Sequence, residues 1–405
     1  MPHETFYKTL KARLFSDYPS TVSLEKELDL ERLVSPFVIE MSRQSFEVAQ
    51  MFIRAIFTLT RTDKYKELIA VDQEEIFFHP PLNNSVLMAY DFHVTPKGLA
   101  LIEINTNAAM YLVSDLLSEH HRLSHFTSER PLELLKDSFL REYRLFSQNP
   151  DGTPQKVVIT DENIRHQKRF VEFLMFQDLF KRWGWNPEII EFQDLRLDVG
   201  SKALLTPSGH KIDLLYNRYC DFYLSRPESK HLREAYLNNW CCFTPNPFEY
   251  LLLADKKRMT EIGFKVSKSL FPHNLPLIDW DVIESTLLPT REMSSFESTE
   301  EIWKNRKKYV FKPQNQYGGK SVYRGDGMTH SVFERALKEN FLLQEFFPAP
   351  QPSFVDPSFE SNGWKYDLRI YAYRDEIQNM VARLYKGQLT NFAQLYGGFA
   401  SLVLK

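Results

Sequence analysis

Residues 99–110 read Leu-Ala-Leu-Ile-Glu-Ile-Asn-Thr-Asn-Ala-Ala-Met, and the fold is decided by the Glu-x-Asn inside that run. Strand side chains repeat every two residues, so an extended run brings Glu103 and Asn105 to one face. A carboxylate and an amide oxygen side by side at a strand end suit a hard divalent cation, which takes oxygen ligands. Just upstream, Met88-Ala-Tyr-Asp-Phe-His-Val-Thr followed by Pro96-Lys97-Gly98 reads as the hairpin partner. That pairing sets Asp91 near the same strand end as a third oxygen ligand. Alone, a Glu-x-Asn is more often a solvated strand face; its weight comes from what lies around it.

The chain has 405 residues, enough for two or three packed units. A formal net charge of -3 gives no basic surface for sequence-independent nucleic-acid binding. The 32 Phe residues suggest aromatic-filled interfaces between layers. Cys220 and the adjacent Cys241-Cys242 show no zinc spacing, and adjacent cysteines rarely bridge each other. They read as small buried apolar residues in a reducing compartment. The first residues lack the apolar core and cleavage site of a signal peptide, and no apolar run approaches a membrane span. The expectation is a cytoplasmic protein with neither a nucleic-acid nor a membrane partner.

Residues 1 to about 75 are expected to be mainly helical, with apolar residues at helical spacing in Phe46-Glu-Val-Ala-Gln-Met-Phe-Ile-Arg-Ala-Ile-Phe. They would pack on the rest of the protein or form a homodimer contact. The hairpin follows, then a helical stretch from about Tyr111 to Phe146, and Asn149-Pro150-Asp151-Gly152 marks a boundary. Strands at Lys156–Thr160, Glu188–Phe192 and Ile212–Arg218, with an amphipathic helix at Gln167–Trp183, argue for a small, mostly parallel sheet. Three regions result: 1–150, 151–247 and 248–405.

The C-terminal region carries three further stretches. In Tyr309-Val-Phe-Lys-Pro-Gln-Asn-Gln-Tyr-Gly-Gly-Lys-Ser, a strand ends in Lys312 and a loop carries Gly318, Gly319 and Lys320. Glycines let backbone N–H groups approach phosphate oxygens, and lysines neutralise them. This is not a Walker loop, and an ordinary hairpin with two lysines is the plain alternative. In Phe341-Leu-Leu-Gln-Glu-Phe-Phe, an apolar strand interrupted by Gln344 and Glu345 offers backbone groups to a base edge. In Lys365-Tyr-Asp-Leu-Arg-Ile-Tyr, Asp367 and Arg369 alternate onto one strand face, with Arg383 on the next strand, then Asn391 and Gly397-Gly398. Guanidinium forks bind carboxylate or phosphate; cross-strand ion pairing is the plain alternative.

Taken together these stretches resemble the ATP-grasp ligases, an α/β superfamily that joins carboxylates to amines or thiols. Residues 91–107 look like the metal-binding end of D-alanine–D-alanine ligases and ribosomal-protein glutamate ligases. Asp367-Leu-Arg, Arg383, Asn391 and Gly397-Gly398 look like the stretch that precedes it in those enzymes. Here the order is reversed, the circularly permuted arrangement of eukaryotic glutathione synthetases. The likeness extends to Phe-Lys-Pro-Gln at 311–314, Ala-Asp-Lys-Lys at 254–257 and Tyr-Asn-Arg at 216–218. The chain departs from the glutathione synthetase pattern at Ala108, Ala109 and Met110, where serines would meet the peptide substrate. Gln316 likewise replaces an acidic metal ligand. Glutathione synthesis itself is therefore not expected.

The resemblance implies a permuted ATP-grasp fold with a helical N-terminal region and a small parallel-sheet substrate domain. It also implies ATP and Mg²⁺, with Asp91, Glu103 and Asn105 on the metal. Lys256 or Lys257, Lys312, Gly318, Gly319 and Lys320 would hold the nucleotide with Gln344, Glu345 and Asp367. Arg383, Arg369 and Asn391 would serve catalysis, and Arg218 would clamp a substrate carboxylate. The expected reaction joins a small-molecule acid to an amine or thiol, either of them free or within a peptide, through an acyl phosphate. An ATP-grasp kinase and a non-catalytic nucleotide-binding protein are the alternatives.

Overall fold

The computed structural model describes residues 3–70, 75–124, 126–127, 129–264, 278–314, 321–356, 358–359, 361, 363–387 and 394–405. In chain order the strands are β1 (Val34–Met41), β2 (Met88–Thr95), β3 (Gly98–Asn105), β4 (Lys156–Asp161), β5 (Asn186–Glu191), β6 (Arg196–Asp198), β7 (Ala203–Leu205) and β8 (Leu214–Asn217). They continue as β9 (Cys242–Thr244), β10 (Thr290–Glu292), β11 (Tyr309–Lys312), β12 (Tyr323–Arg324), β13 (Leu342–Glu345), β14 (Trp364–Tyr373), β15 (Glu376–Lys386) and β16 (Gly398–Leu404). Among the described residues three sheets organise the protein, and β6 and β7 form a small separate hairpin.

The largest sheet has the order β1-β16-β15-β14-β2-β3. Its two halves come from opposite ends of the sequence, so Asp91 on β2 lies directly across from Arg369 on β14. The first 75 residues are thus not simply helical: β1 is a strand of this sheet, parallel to β16. The helical stretch after Tyr111 is two helices, Tyr111–His120 and Pro131–Ser147.

Strand alternation divides the large sheet into two faces. Tyr90, Phe92, Leu368, Ile370, Ala382 and Ala400 pack against Ala49, Phe52, Ile53 and Ile56 of the helix Arg43–Arg61. The opposite face carries Ala89, Tyr371, Val381 and Phe399, which join the core around the helices Tyr111–His120 and Phe170–Arg182. Asp91, Arg369 and Arg383 belong to that second face by the same parity.

β3 needs one correction to reach it. Leu99 and Leu101 both face the helix Arg43–Arg61, and strict alternation would send Glu103 and Asn105 the same way. The register instead shifts: Phe92 pairs with Leu101 and Asp91 with Glu103, leaving Ile102 as a β-bulge. One extra residue reverses the parity, so Ile104 takes the core position and Glu103 and Asn105 turn to the polar face.

The second sheet, β5-β4-β8-β9, is parallel throughout and is the expected small α/β unit. The third, β10-β13-β11-β12, is antiparallel, with Phe311 and Leu343 packed on its helical side. No helix among the described residues is long and apolar enough to cross a membrane.

Candidate active site

The polar face of the large sheet concentrates charge where strands are otherwise apolar on both sides. Asp91 and Asp367 are fully buried. Arg369 holds Asp91 in a fork, with Nε donating to Oδ1 at 2.8 Å and Nη2 to Oδ2 at 2.7 Å. Arg383 donates Nη2 to Asp91 Oδ2 at 2.9 Å and Nε to Asp367, its direct cross-strand neighbour. Burial alone would raise the Asp91 pKa, but the two guanidinium groups hold it near about 2. Burial likewise works against the charge of both arginines, and their carboxylates outweigh it and raise their pKa values.

Asn105 adds a fourth donor to Asp91, Nδ2 to Oδ2 at 3.1 Å, and lies 3.5 Å from Glu103 Oε1. Asp91 was expected on a metal. Its oxygens accept from two arginines and an amide. Glu103 and Asn105 remain the half-buried oxygen donors at the strand end. Mg²⁺ keeps several waters and needs only one or two protein carboxylates beside substrate phosphates, so this reduced set fits it. Among the described residues no cluster of three or more His, Cys, Asp or Glu side chains forms a complete protein cage.

The antiparallel sheet approaches the same strand end. The bulge at Ile102 frees a carbonyl from the ladder, and Lys312 Nζ donates to it at 2.8 Å and Gln344 Nε2 at 3.2 Å. Burial pulls the Lys312 pKa down to about 8, against the attraction of Glu103. Lys256 is lowered by burial too, again with Glu103 opposing. Both ammonium groups thus lie near Glu103, with Asp255 also acting on Lys256 and Asp91 on Lys312. Of the two expected lysines, Lys256 lies near Glu103, and Lys257 donates its backbone N–H to Asp255 Oδ1 at 2.9 Å. Glu345 is exposed, on the opposite face of β13 from Gln344, so its side chain is turned away from Lys312. Gly318, Gly319, Lys320 and Asn391 lie outside the described residues, as does Gln316.

The parallel sheet closes the third side. Asn107, in the left-handed region at φ 59°, donates Nδ2 to the Arg218 carbonyl at 2.6 Å and ties the end of β3 to the end of β8. The Arg218 guanidinium is buried, donates to Tyr216 Oη at 2.9 Å and lies beside Phe173. Glu172, Phe173, Phe176 and Tyr216 pack around it. Glu172 accepts the backbone N–H groups of Met110 at 2.5 Å and Leu112 at 3.1 Å, fixing the loop after the Glu-x-Asn.

Three residues in this region escaped the sequence reading. Glu172 and Arg169 stand one helical turn apart, and only the packing of their helix on β4, β5 and the helix Tyr111–His120 brings them here. Arg169 lies 5.3 Å from the Phe399 ring, and Phe399 is the cross-strand neighbour of Arg383. His93, two residues beyond Asp91 on the same face, has Nδ1 at 3.1 Å from the Phe347 carbonyl and so joins β2 to the segment after β13. Its spacing from Asp91 was a readable signal; the other two offered none.

No protein-family model matches the chain, and no curated protein matches it. Its fold is similar to a glutathione synthetase-like effector from Globodera pallida, with a TM-score of 0.58 and 11% identity over 98% of this chain and 97% of that one. It is also similar to a protein assigned as a gamma-glutamylcysteine synthetase from Methylobacillus flagellatus KT, with a TM-score of 0.51 and 10% identity over 84% and 86%. The ATP-grasp ligase PsnB, solved with a minimal precursor, Mg and ADP, aligns at a TM-score of 0.27 with 13% identity over 61% and 87%, too distant to argue from. The chain shares the fold of the first two proteins over most of its length.

Proposed function

We propose that the chain is an ATP-dependent carboxylate–amine ligase of the ATP-grasp type, working through an acyl phosphate and releasing ADP and phosphate. One observation carries this reading. One sheet face sets Glu103 and Asn105 near Lys256 and Lys312, with Arg369 and Arg383 two and three strands further along the same sheet. The order of elements, with β2 and β3 preceding the arginine strands, supports a circularly permuted arrangement like that of eukaryotic glutathione synthetases. Three free cysteines, two of them buried, accord with a reducing, cytoplasmic setting.

Lys256 and Lys312 neutralise phosphate oxygens of ATP; β13, expected to lend its backbone to the base, is instead paired with β10 on one side and β11 on the other. Mg²⁺ held through Glu103 and Asn105 would supply charge neutralisation on the transferred phosphoryl group. An oxygen of the acid's carboxylate attacks the γ-phosphorus, and the β–γ bridging bond breaks to release ADP. The amine nitrogen then attacks the acyl carbon, the C–O bond to phosphate breaks, and the amine loses a proton to solvent. Arg369 and Arg383, held rigid by Asp91 and Asp367, present N–H groups to the charge that develops on oxygen in both steps. Arg218 orients the acid from the β8 side.

The test is release of ADP and phosphate from Mg-ATP with fractionated cell metabolites, run beside Glu103→Ala. Release that depends on a fraction, yields a condensed product and vanishes in the variant supports the ligase. A stable phosphorylated product without condensation would make the protein a kinase. No release with any fraction would count against catalysis.

A further inference from the structure

The antiparallel sheet and the large sheet both carry site residues, and the chain passes from one to the other just after β13. Up to Phe346 it is tied to the antiparallel sheet. Glu345 donates its N–H to the Pro289 carbonyl at 2.9 Å, and Phe346 donates to the Lys308 carbonyl at 2.8 Å. The Arg324 guanidinium lies 3.5 Å from the centre of the Phe346 ring. From Phe347 onward the ties run to the large sheet. His93 on β2 holds the Phe347 carbonyl through Nδ1 at 3.1 Å. Tyr366 on β14 donates its N–H to the Pro350 carbonyl at 3.1 Å. On β1, Glu40 donates to the Ser353 carbonyl at 2.9 Å and the Val38 carbonyl accepts from Val355 at 3.0 Å. Pro348, Pro350 and Pro352 fix φ at every second residue of this strap, which stiffens it. Freedom between the two sheets along this connection is thereby concentrated at Phe346 and Phe347.

Lys312 stands on the antiparallel side of that crossing. It pairs with Leu342 on β13, four residues before Phe346, which makes a lever of about 14 Å. A swing of about 10° at the crossing would carry it roughly 2 Å. That is enough to break its 2.8 Å hydrogen bond to the Ile102 carbonyl and to draw it away from Glu103. The side chain that holds the crossing comes from two residues beyond Asp91, on the face that carries the site.

We propose that His93 is a positioning residue: it pins the crossing between the two sheets and so sets where Lys312 stands near Glu103. This rests on the ligase reading only for the phosphate that Lys312 would meet.

The experiment compares the full chain with His93→Leu, His93→Asn and His93→Gln. Leucine fills space without a donor. Asparagine sets its amide nitrogen where Nδ1 stands, and glutamine sets its own near Nε2. Lys312 is 5% exposed and Lys156, in the parallel sheet, is 8% exposed. Acetylation by acetic anhydride, read by peptide mass spectrometry against the exposed Lys307, follows both lysines with no ligand present. Calorimetry with Mg²⁺ and the non-hydrolysable ATP analogue AMPPNP reads the site. The expected result is Lys312 reacting several-fold faster in His93→Leu and His93→Gln, with AMPPNP bound ~10-fold more weakly. His93→Asn restores both, and Lys156 reacts alike in all four proteins, which a general loosening of the fold would not allow. Unchanged Lys312 reactivity in His93→Leu overturns the proposal, as does Lys156 exposed along with Lys312. So does His93→Asn no better than His93→Leu, or His93→Gln as good as His93→Asn. If His93→Leu does not fold, the last two variants decide. Failure of wild type to bind AMPPNP, or an affinity that ignores a freed Lys312, counts against the phosphate reading alone, because Lys312 acetylation is measured without nucleotide.

Discussion

Lys312→Met should make the protein more stable and unable to bind nucleotide well. Lys312 is 5% exposed, and its pKa falls from 10.5 to about 8 on folding. At neutral pH, holding it charged therefore costs about 3 kcal/mol. Methionine fills the same stem volume without that charge. The loss is the hydrogen bond to the Ile102 carbonyl, about 1.5–3 kcal/mol for a charged donor, and Gln344 still satisfies that acceptor. The balance is a gain of up to about 1–2 kcal/mol, against a loss of phosphate contacts that weakens nucleotide binding by ~10-fold or more. The sign of the pH dependence follows from the same shift. Between pH 8 and 10.5 the unfolded chain binds a proton that the folded one does not, so wild-type stability gains with pH in that window and the variant loses that gain. Urea denaturation at pH 7 and 9.5, with and without Mg-AMPPNP, measures all three. A variant destabilised by more than about 1 kcal/mol, or one stabilised by nucleotide as much as wild type, would refute the reasoning.

Asp91→Asn should destabilise the fold by roughly 3–5 kcal/mol, because it strips the shared carboxylate from two buried arginines; a denaturation midpoint within error of wild type would show that Asp91 does not hold them. Deleting Ile102 should leave Glu103 and Asn105 on the polar face, because Leu101 and Glu103 then alternate without a bulge, but it removes the carbonyl that Lys312 and Gln344 share and should weaken nucleotide binding; a soluble deletion variant that binds Mg-AMPPNP as tightly as wild type would contradict the role of that carbonyl in placing Lys312. Nucleotide affinity should fall above about pH 8, the pKa of Lys312 before binding, approaching tenfold per pH unit. A Kd that stays flat to pH 9.5 would remove Lys312 from the phosphate site.

Much of this site was legible because strands publish their faces. Asp367, Arg369 and Arg383 alternate in an apolar setting, and the sheet register pairs them as that alternation implies. The hairpin pairing of Asp91 with Glu103 was legible for the same reason. What hid the rest was tertiary. β1 contains Pro36, which argues against a strand, but β1 is an edge strand and its register breaks between Val34 and Val38, where a proline is tolerated. The bulge at Ile102 leaves no mark in Leu-Ile-Glu, yet it decides which way Glu103 points. The arginine partners of Asp91 were not legible, because Arg369 lies 278 residues away in sequence. Arg169 looks like any cation at a helix start until β16 is placed under it.

The most direct test of the central claim replaces the unknown amine with hydroxylamine, which captures an acyl phosphate as a hydroxamate. The protein is incubated with Mg-ATP, hydroxylamine and a pool of cellular carboxylic acids, and hydroxamate, ADP and phosphate are quantified together. The account predicts equal amounts of all three, dependent on the acid pool and absent in Glu103→Ala. ADP accompanied by a stable phosphorylated acid or alcohol and no hydroxamate, or no ADP at all, would contradict it.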